Sequence, residues 1–248
     1  MTTRLMEVVS VRRQLLALSL LAAGLFGPVA GGSAVAVPPT ASTSTITLGG
    51  VAVQLRPGTR QVVTVDHTYG WHATVSLWRR RDGRWGKVLT ARDGRTGYGG
   101  LVPGARRRQG TGATPLGTYS MTESFGNHPR PSGTALPFHR VQAGDYWVQD
   151  NASDWYNTLR NKARGGFRWW LTGYNSSEYL PSYPSQYRWA IVIDFNRPDP
   201  VRRRGSGIFL HVNGDGPTGG CVSAPREYVR AMMQRLRPGL HPLVAIGH

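Results

Sequence analysis

Residues 207–225 read GIFLHVNGDGPTGGCVSAP, and this stretch sets both the expected fold and the expected chemistry. Its first part, residues 207–212, has the apolar, β-branched and aromatic composition of a strand and carries His211 near its end. A glycine-rich turn then leads to Cys221, the only cysteine of the sequence. Further on, Tyr228, Val229, Met232, Met233 and Leu236 fall on one helical face, and Pro238-Gly239 stops the period. The pattern predicts a helix beginning directly after Cys221, with Ser223 or Ala224 as cap and Pro225 in the first turn. At such a helix start the dipole and the free N–H groups lower a thiol pKa. Gly219 and Gly220 permit a tight turn whose amides face a carbonyl oxygen, the arrangement of an oxyanion hole. Thr218 is expected to fix that loop through its hydroxyl. His211 is ten positions upstream of Cys221 and is expected beside the sulfur as its base. Asn213 and Ser223 are candidate helpers, as is Asp215, although turn formation explains Asn213 and Asp215 equally well.

Outward from that stretch the signals are mostly β. Residues 61–65, 73–78 and 85–90 are short β-like segments, and Asp82-Gly83 reads as a hairpin turn between two of them. Residues 188–195 (RWAIVIDF) are strongly strand-like, and residues 243–246 close the chain as a last strand. The fold class is therefore mostly β, with one or two helices packed on sheets. Residues 147–187 are aromatic and polar without a clear period. They fit either a groove for a glycan or peptide strand or a long loop anchored to the sheet.

The amino terminus carries Arg12-Arg13, an apolar run over residues 15–30 and the small-residue site Ala34-Val35-Ala36. This is the pattern of an export signal over residues 1–36, and a membrane association is expected only if that signal is retained uncleaved. Residues 37–50 read as a flexible lead-in, and residues 51–248 as one domain. Loss of residues 1–36 removes three arginines and one glutamate, changing the formal charge from 30 − 13 = +17 to 27 − 12 = +15. With an export signal, the expected polyanion is the anionic polymer of the extracytoplasmic cell wall. Nucleic acid is not expected: the arginine runs at 79–81, 106–108 and 202–204 are short and form no helical stripe. A lone cysteine in an exported chain is either a reactive thiol or a small buried hydrophobe. No cofactor is expected. Neither lysine has a serine three places before it, and the seven histidines show no HxH or HExxH spacing.

Thr218 to Ser223, TGGCVS, resembles the Ser/Thr-His-Gly-Cys signature of the L,D-transpeptidase catalytic domain (the YkuD type), with Gly219 in place of the histidine before Gly-Cys. The strand bearing His211 resembles that family's upstream histidine strand. Thr114-Pro115-Leu116-Gly117-Thr118-Tyr119 resembles its Thr-Pro-x-Gly-x-Tyr/Phe segment. The interval between histidine and cysteine is shorter here than is usual in the family. The resemblance implies a β-sandwich-like domain acting on peptidoglycan stem peptides, with Cys221 as nucleophile and His211 as base. It further implies a thioester passed to a second stem as a 3–3 cross-link. The alternatives are an L,D-carboxypeptidase using the same site, or a non-catalytic basic cell-wall-binding module.

Overall fold

The computed structural model describes residues 44–248. The expected export signal and the start of the lead-in lie outside the described residues. The rest of the lead-in differs from expectation: Ser44–Leu48 is a strand, paired antiparallel with Val51–Leu55. It is held because Leu48, Val51 and Val53 pack against Val62, Leu243 and Ala245 in one apolar cluster.

Among the described residues, eleven strands form the main sheet. Across it run Leu101–Pro103, Thr114–Ser120, Leu243–Gly247, Gln61–His67, His72–Arg81 and Arg84–Arg95. Val222–Ala224, Phe209–Val212, Ala190–Val192, Ser124–Gly126 and Phe138–Arg140 complete the order. The Asp82-Gly83 hairpin turn is present, with φ of 48° and 77°, the left-handed conformation that such a tight turn requires. The strand Leu243–Gly247 shows why its sequence is a continuous apolar run. Val244 and Ile246 point into the principal core, while Leu243 and Ala245 point to the cluster beneath the N-terminal hairpin. A strand covered on both faces has no polar side to show.

The helix spans Arg226–Arg235 and buries Tyr228, Val229, Met232 and Met233 in the principal core, the cluster that also holds Leu210, Ile191 and Val75. Its start corrects the sequence reading. Pro225 is the cap residue and makes no side-chain cap bond. Val222–Ala224, expected to lead directly into the helix, is instead a strand parallel to Phe209–Val212, with His211 opposite Ser223. The strand expected over 188–195 is confined to Ala190–Val192, because residues 186–188 turn as a short 3-10 helix. Mostly β with one α-helix among the described residues is the observed class.

Candidate active site

Two neighbouring parallel strands bring the sulfur and the imidazole together. The loop 213–221 carries the chain from the end of Phe209–Val212 back to the start of Val222–Ala224. Cys221 therefore lies beside Phe209, whose amide donates to its Sγ at 3.4 Å. His211 lies two residues beyond Phe209 and so on the same face of the strand. The Tyr187 ring packs edge-on against both, at 5.6 Å from Phe209 and 5.3 Å from His211. Cys221 and His211, each 7 % exposed, line one cavity of about 670 Å³ together with Tyr98, Arg107, Glu178 and Tyr187.

The protonation of the pair follows from its bonds. His211 Nδ1 lies 2.8 Å from the Val212 carbonyl. A carbonyl only accepts, so Nδ1 carries the proton and Nε2 keeps its lone pair. Burial lowers the imidazole pKa to about 4, against the opposing effect of that bond. The Cys221 thiol donates to the Gly207 carbonyl at 3.3 Å. Burial, and next the Glu178 carboxylate, push its pKa up to about 12. The expectation of a thiol pKa lowered by a helix start is thus corrected: the helix begins five residues later, and the resting pair is neutral thiol and neutral imidazole. No hydrogen bond joins the two among the described residues.

The favourable charge near the sulfur is Arg107, 5 % exposed. Its Nε donates to the Ala113 carbonyl at 2.6 Å and its Nη1 to the Arg204 carbonyl at 3.3 Å, and its Cζ lies 5.4 Å from the centre of the Phe195 ring. Its Nη2 would stand 2.8 Å from a Cβ placed on Gly220. Burial lowers the pKa of this guanidinium, while a thiolate at Cys221 would raise it. Arg107 is the middle residue of an arginine run whose two ends are exposed. Nothing in the sequence separates it from its neighbours, nor marks Glu178 and Tyr187 among the other acids and tyrosines.

The loop residues divide. Thr218 Oγ1 donates to the Cys221 carbonyl at 2.6 Å and accepts from the Gly220 amide at 3.1 Å. The Gly220 amide is thereby engaged within the loop, which corrects its expected part as a free oxyanion donor. Gly219 lines the cavity. Asn213 and Ser223, the candidate helpers, bond to each other at 2.7 Å, and Asn213 also reaches the Asp93 carbonyl. They brace the strand ends and do not line the cavity. Asp215 does line it. The aromatic segment splits between the two readings it allowed. Tyr156 is buried, Tyr179 and Tyr183 line the cavity, and Trp155, Trp169, Trp170 and Tyr174 are exposed.

Fold and cavity together define a mostly-β protein with a buried cysteine–histidine pocket. The family model of the L,D-transpeptidase catalytic domain (YkuD) matches residues 72–244, and the chain belongs to that family. The match makes it an L,D-transpeptidase-type protein, of a family that acts on peptidoglycan peptides. Comparison with curated proteins gave no match. Comparison with solved structures gave none either.

Proposed function

We propose that the protein is an exported cysteine acyltransferase that forms 3–3 cross-links between peptidoglycan stem peptides. The observation that carries this reading is the shared cavity of the Cys221 thiol and the free Nε2 of His211. Because both groups rest neutral, the proton leaves sulfur for Nε2 as Sγ attacks the carbonyl carbon of the diamino acid at stem position three. Arg107 offsets the negative charge that develops on sulfur. The tetrahedral intermediate collapses with cleavage of the C–N bond to the terminal D-alanine, whose amine takes the proton from Nε2. The side-chain amine of a second stem then attacks the thioester and gives a proton to Nε2; the C–S bond breaks and the departing sulfur takes that proton, restoring thiol and neutral imidazole. With water as acceptor the same steps would make a carboxypeptidase. Product analysis with and without an acceptor stem separates the two.

Intact-mass measurement after incubation with a carbapenem, a strained acyl donor, tests the nucleophile. The wild type should gain one acyl group and Cys221→Ala none. Wild type without an adduct, or an adduct that survives Cys221→Ala, would overturn the proposal.

A further inference from the structure

Glu178 stands in the Cys221 cavity without a part in the steps above. It lies on the two-residue strand Glu178–Tyr179, with Trp147 as its antiparallel partner. One oxygen, Oε1, accepts from the Tyr187 hydroxyl at 2.5 Å. The other, Oε2, lies 3.6 Å from where a Cβ on Gly207 would stand, against the backbone whose carbonyl holds the thiol. Among the described residues no arginine, lysine or histidine forms an ion pair with it. In a chain with 30 basic and 13 acidic residues, a cavity carboxylate left without a cation is a site with a missing partner. Desolvation in the cavity holds its pKa up at about 7, against the lowering effect of the Tyr187 bond.

A second polar group lines the same cavity. The Ser206 hydroxyl, on the residue before Gly207, is 6 % exposed, lines the same cavity and makes no hydrogen bond. Its polar neighbour is the Tyr156 hydroxyl, which already donates to Gln109 and accepts from the Gly205 amide. A ligand that satisfies a carboxylate and a hydroxyl together is a multiple N–H donor with positive charge.

We infer that Glu178, with the Ser206 hydroxyl, forms a subsite for a primary alkylammonium group of the substrate, next to the carbonyl attacked by Cys221. The inference rests on the acyl-transfer reading of this cavity and adds what the cavity selects. Two sources supply that chemistry: the side-chain amine of the donor residue, or the amine of the incoming acceptor, which docks as ammonium and gives one proton to the Glu178 carboxylate before its lone pair attacks the thioester.

The experiment uses the mature chain and its Glu178→Gln, Glu178→Asp and Ser206→Ala variants. Carbapenem adduct formation by the wild type establishes acyl transfer independently of any amine. D-alanine release is then compared for a tetrapeptide donor with a free side-chain amine and for the same donor acetylated there. In the second arm, cross-linking is measured against the concentration of an amine acceptor. If the donor amine occupies the subsite, the wild type prefers the free amine by about ten- to hundredfold in kcat/KM, the worth of one charge-assisted hydrogen bond. Glu178→Gln then loses that preference, and Glu178→Asp and Ser206→Ala retain part of it. If the acceptor occupies it, donor acetylation changes nothing and Glu178→Gln raises the acceptor KM by a similar factor. Indifference to the amine in both arms overturns the subsite alone, and the wild-type comparison decides this even where a variant fails to fold. Absence of a carbapenem adduct on wild type overturns the acyl-transfer reading, and the subsite with it.

Discussion

The chemistry at the residue scale is set by burial. His211 is neutral at neutral pH because its ring is out of water, and Cys221 is a thiol for the same reason. Stability carries the mark of this. Below about pH 6.5 the unfolded chain binds a proton on this histidine that the folded chain refuses until about pH 4. Stability present at neutral pH is therefore lost as pH falls through that window, by up to about 3 kcal/mol. Glu178, held up from 4.5 to about 7, acts in the opposite direction over an overlapping range. The histidine contribution thus shows as a difference: from pH 7 to pH 4, denaturant unfolding should find a steeper loss for wild type than for His211→Gln. Parallel pH curves would refute the assignment. Arg107 favours the thiolate, so Arg107→Gln should raise the thiol pKa further and Arg107→Lys less. The pH dependence of Cys221 alkylation reads this directly, and an unchanged profile in Arg107→Gln would remove Arg107 from the mechanism.

At the scale of elements, the loop between the two parallel strands decides whether the site exists. Its adjacent glycines have opposite requirements. Gly220 has φ of 125°, and a Cβ there would stand 2.8 Å from both the Ala113 carbonyl and Arg107 Nη2. Gly219 has open space around its Cβ position. Gly220→Ala should cost about 1–3 kcal/mol in thermal or denaturant unfolding and disturb acylation through Arg107. Gly219→Ala should stay within about 0.5 kcal/mol of wild type in the same unfolding measurement. Equal effects would mean that these contacts do not hold the loop. The strand Val222–Ala224 exists because residues far earlier in the chain offer it edges. Ser223 faces Arg95 on one side and His211 on the other. Local sequence holds the helical period after it but not that pairing, which is why the sequence places the helix start too early.

Over the whole molecule, the described surface keeps most of its arginines exposed. Arg79–Arg81 lie at the tip of the hairpin closed by Asp82-Gly83, with the last two exposed, and Arg202 and Arg203 are exposed, whereas Arg107 is drawn inside. The remaining positive surface should bind anionic cell-wall polymer with an affinity that falls steeply with salt. The Debye length shrinks from about 10 Å at 0.1 M to about 3 Å at 1 M, so co-sedimentation across that range measures the effect. Retention unaffected by salt would point to a different wall contact. The export proposal predicts a mature amino terminus at Val37, which N-terminal sequencing of secreted protein would check.

Taken alone, the sequence determined the strands with alternating or continuous apolar patterns, the amphipathic helix, and the placing of one cysteine and one histidine at the two ends of a glycine-rich loop. Those signals are local: a period of two or of 3.6 residues, and a turn only glycine can make. The tertiary structure alone decided that residues 222–224 are strand, that the thiol is shielded rather than at a helix mouth, and that Arg107, Glu178 and Tyr187 share its cavity. Each of those depends on which distant segment excludes water from a group or lends it a charge. No single stretch of chain records that, because desolvation and Coulomb interaction act through space and not along the backbone.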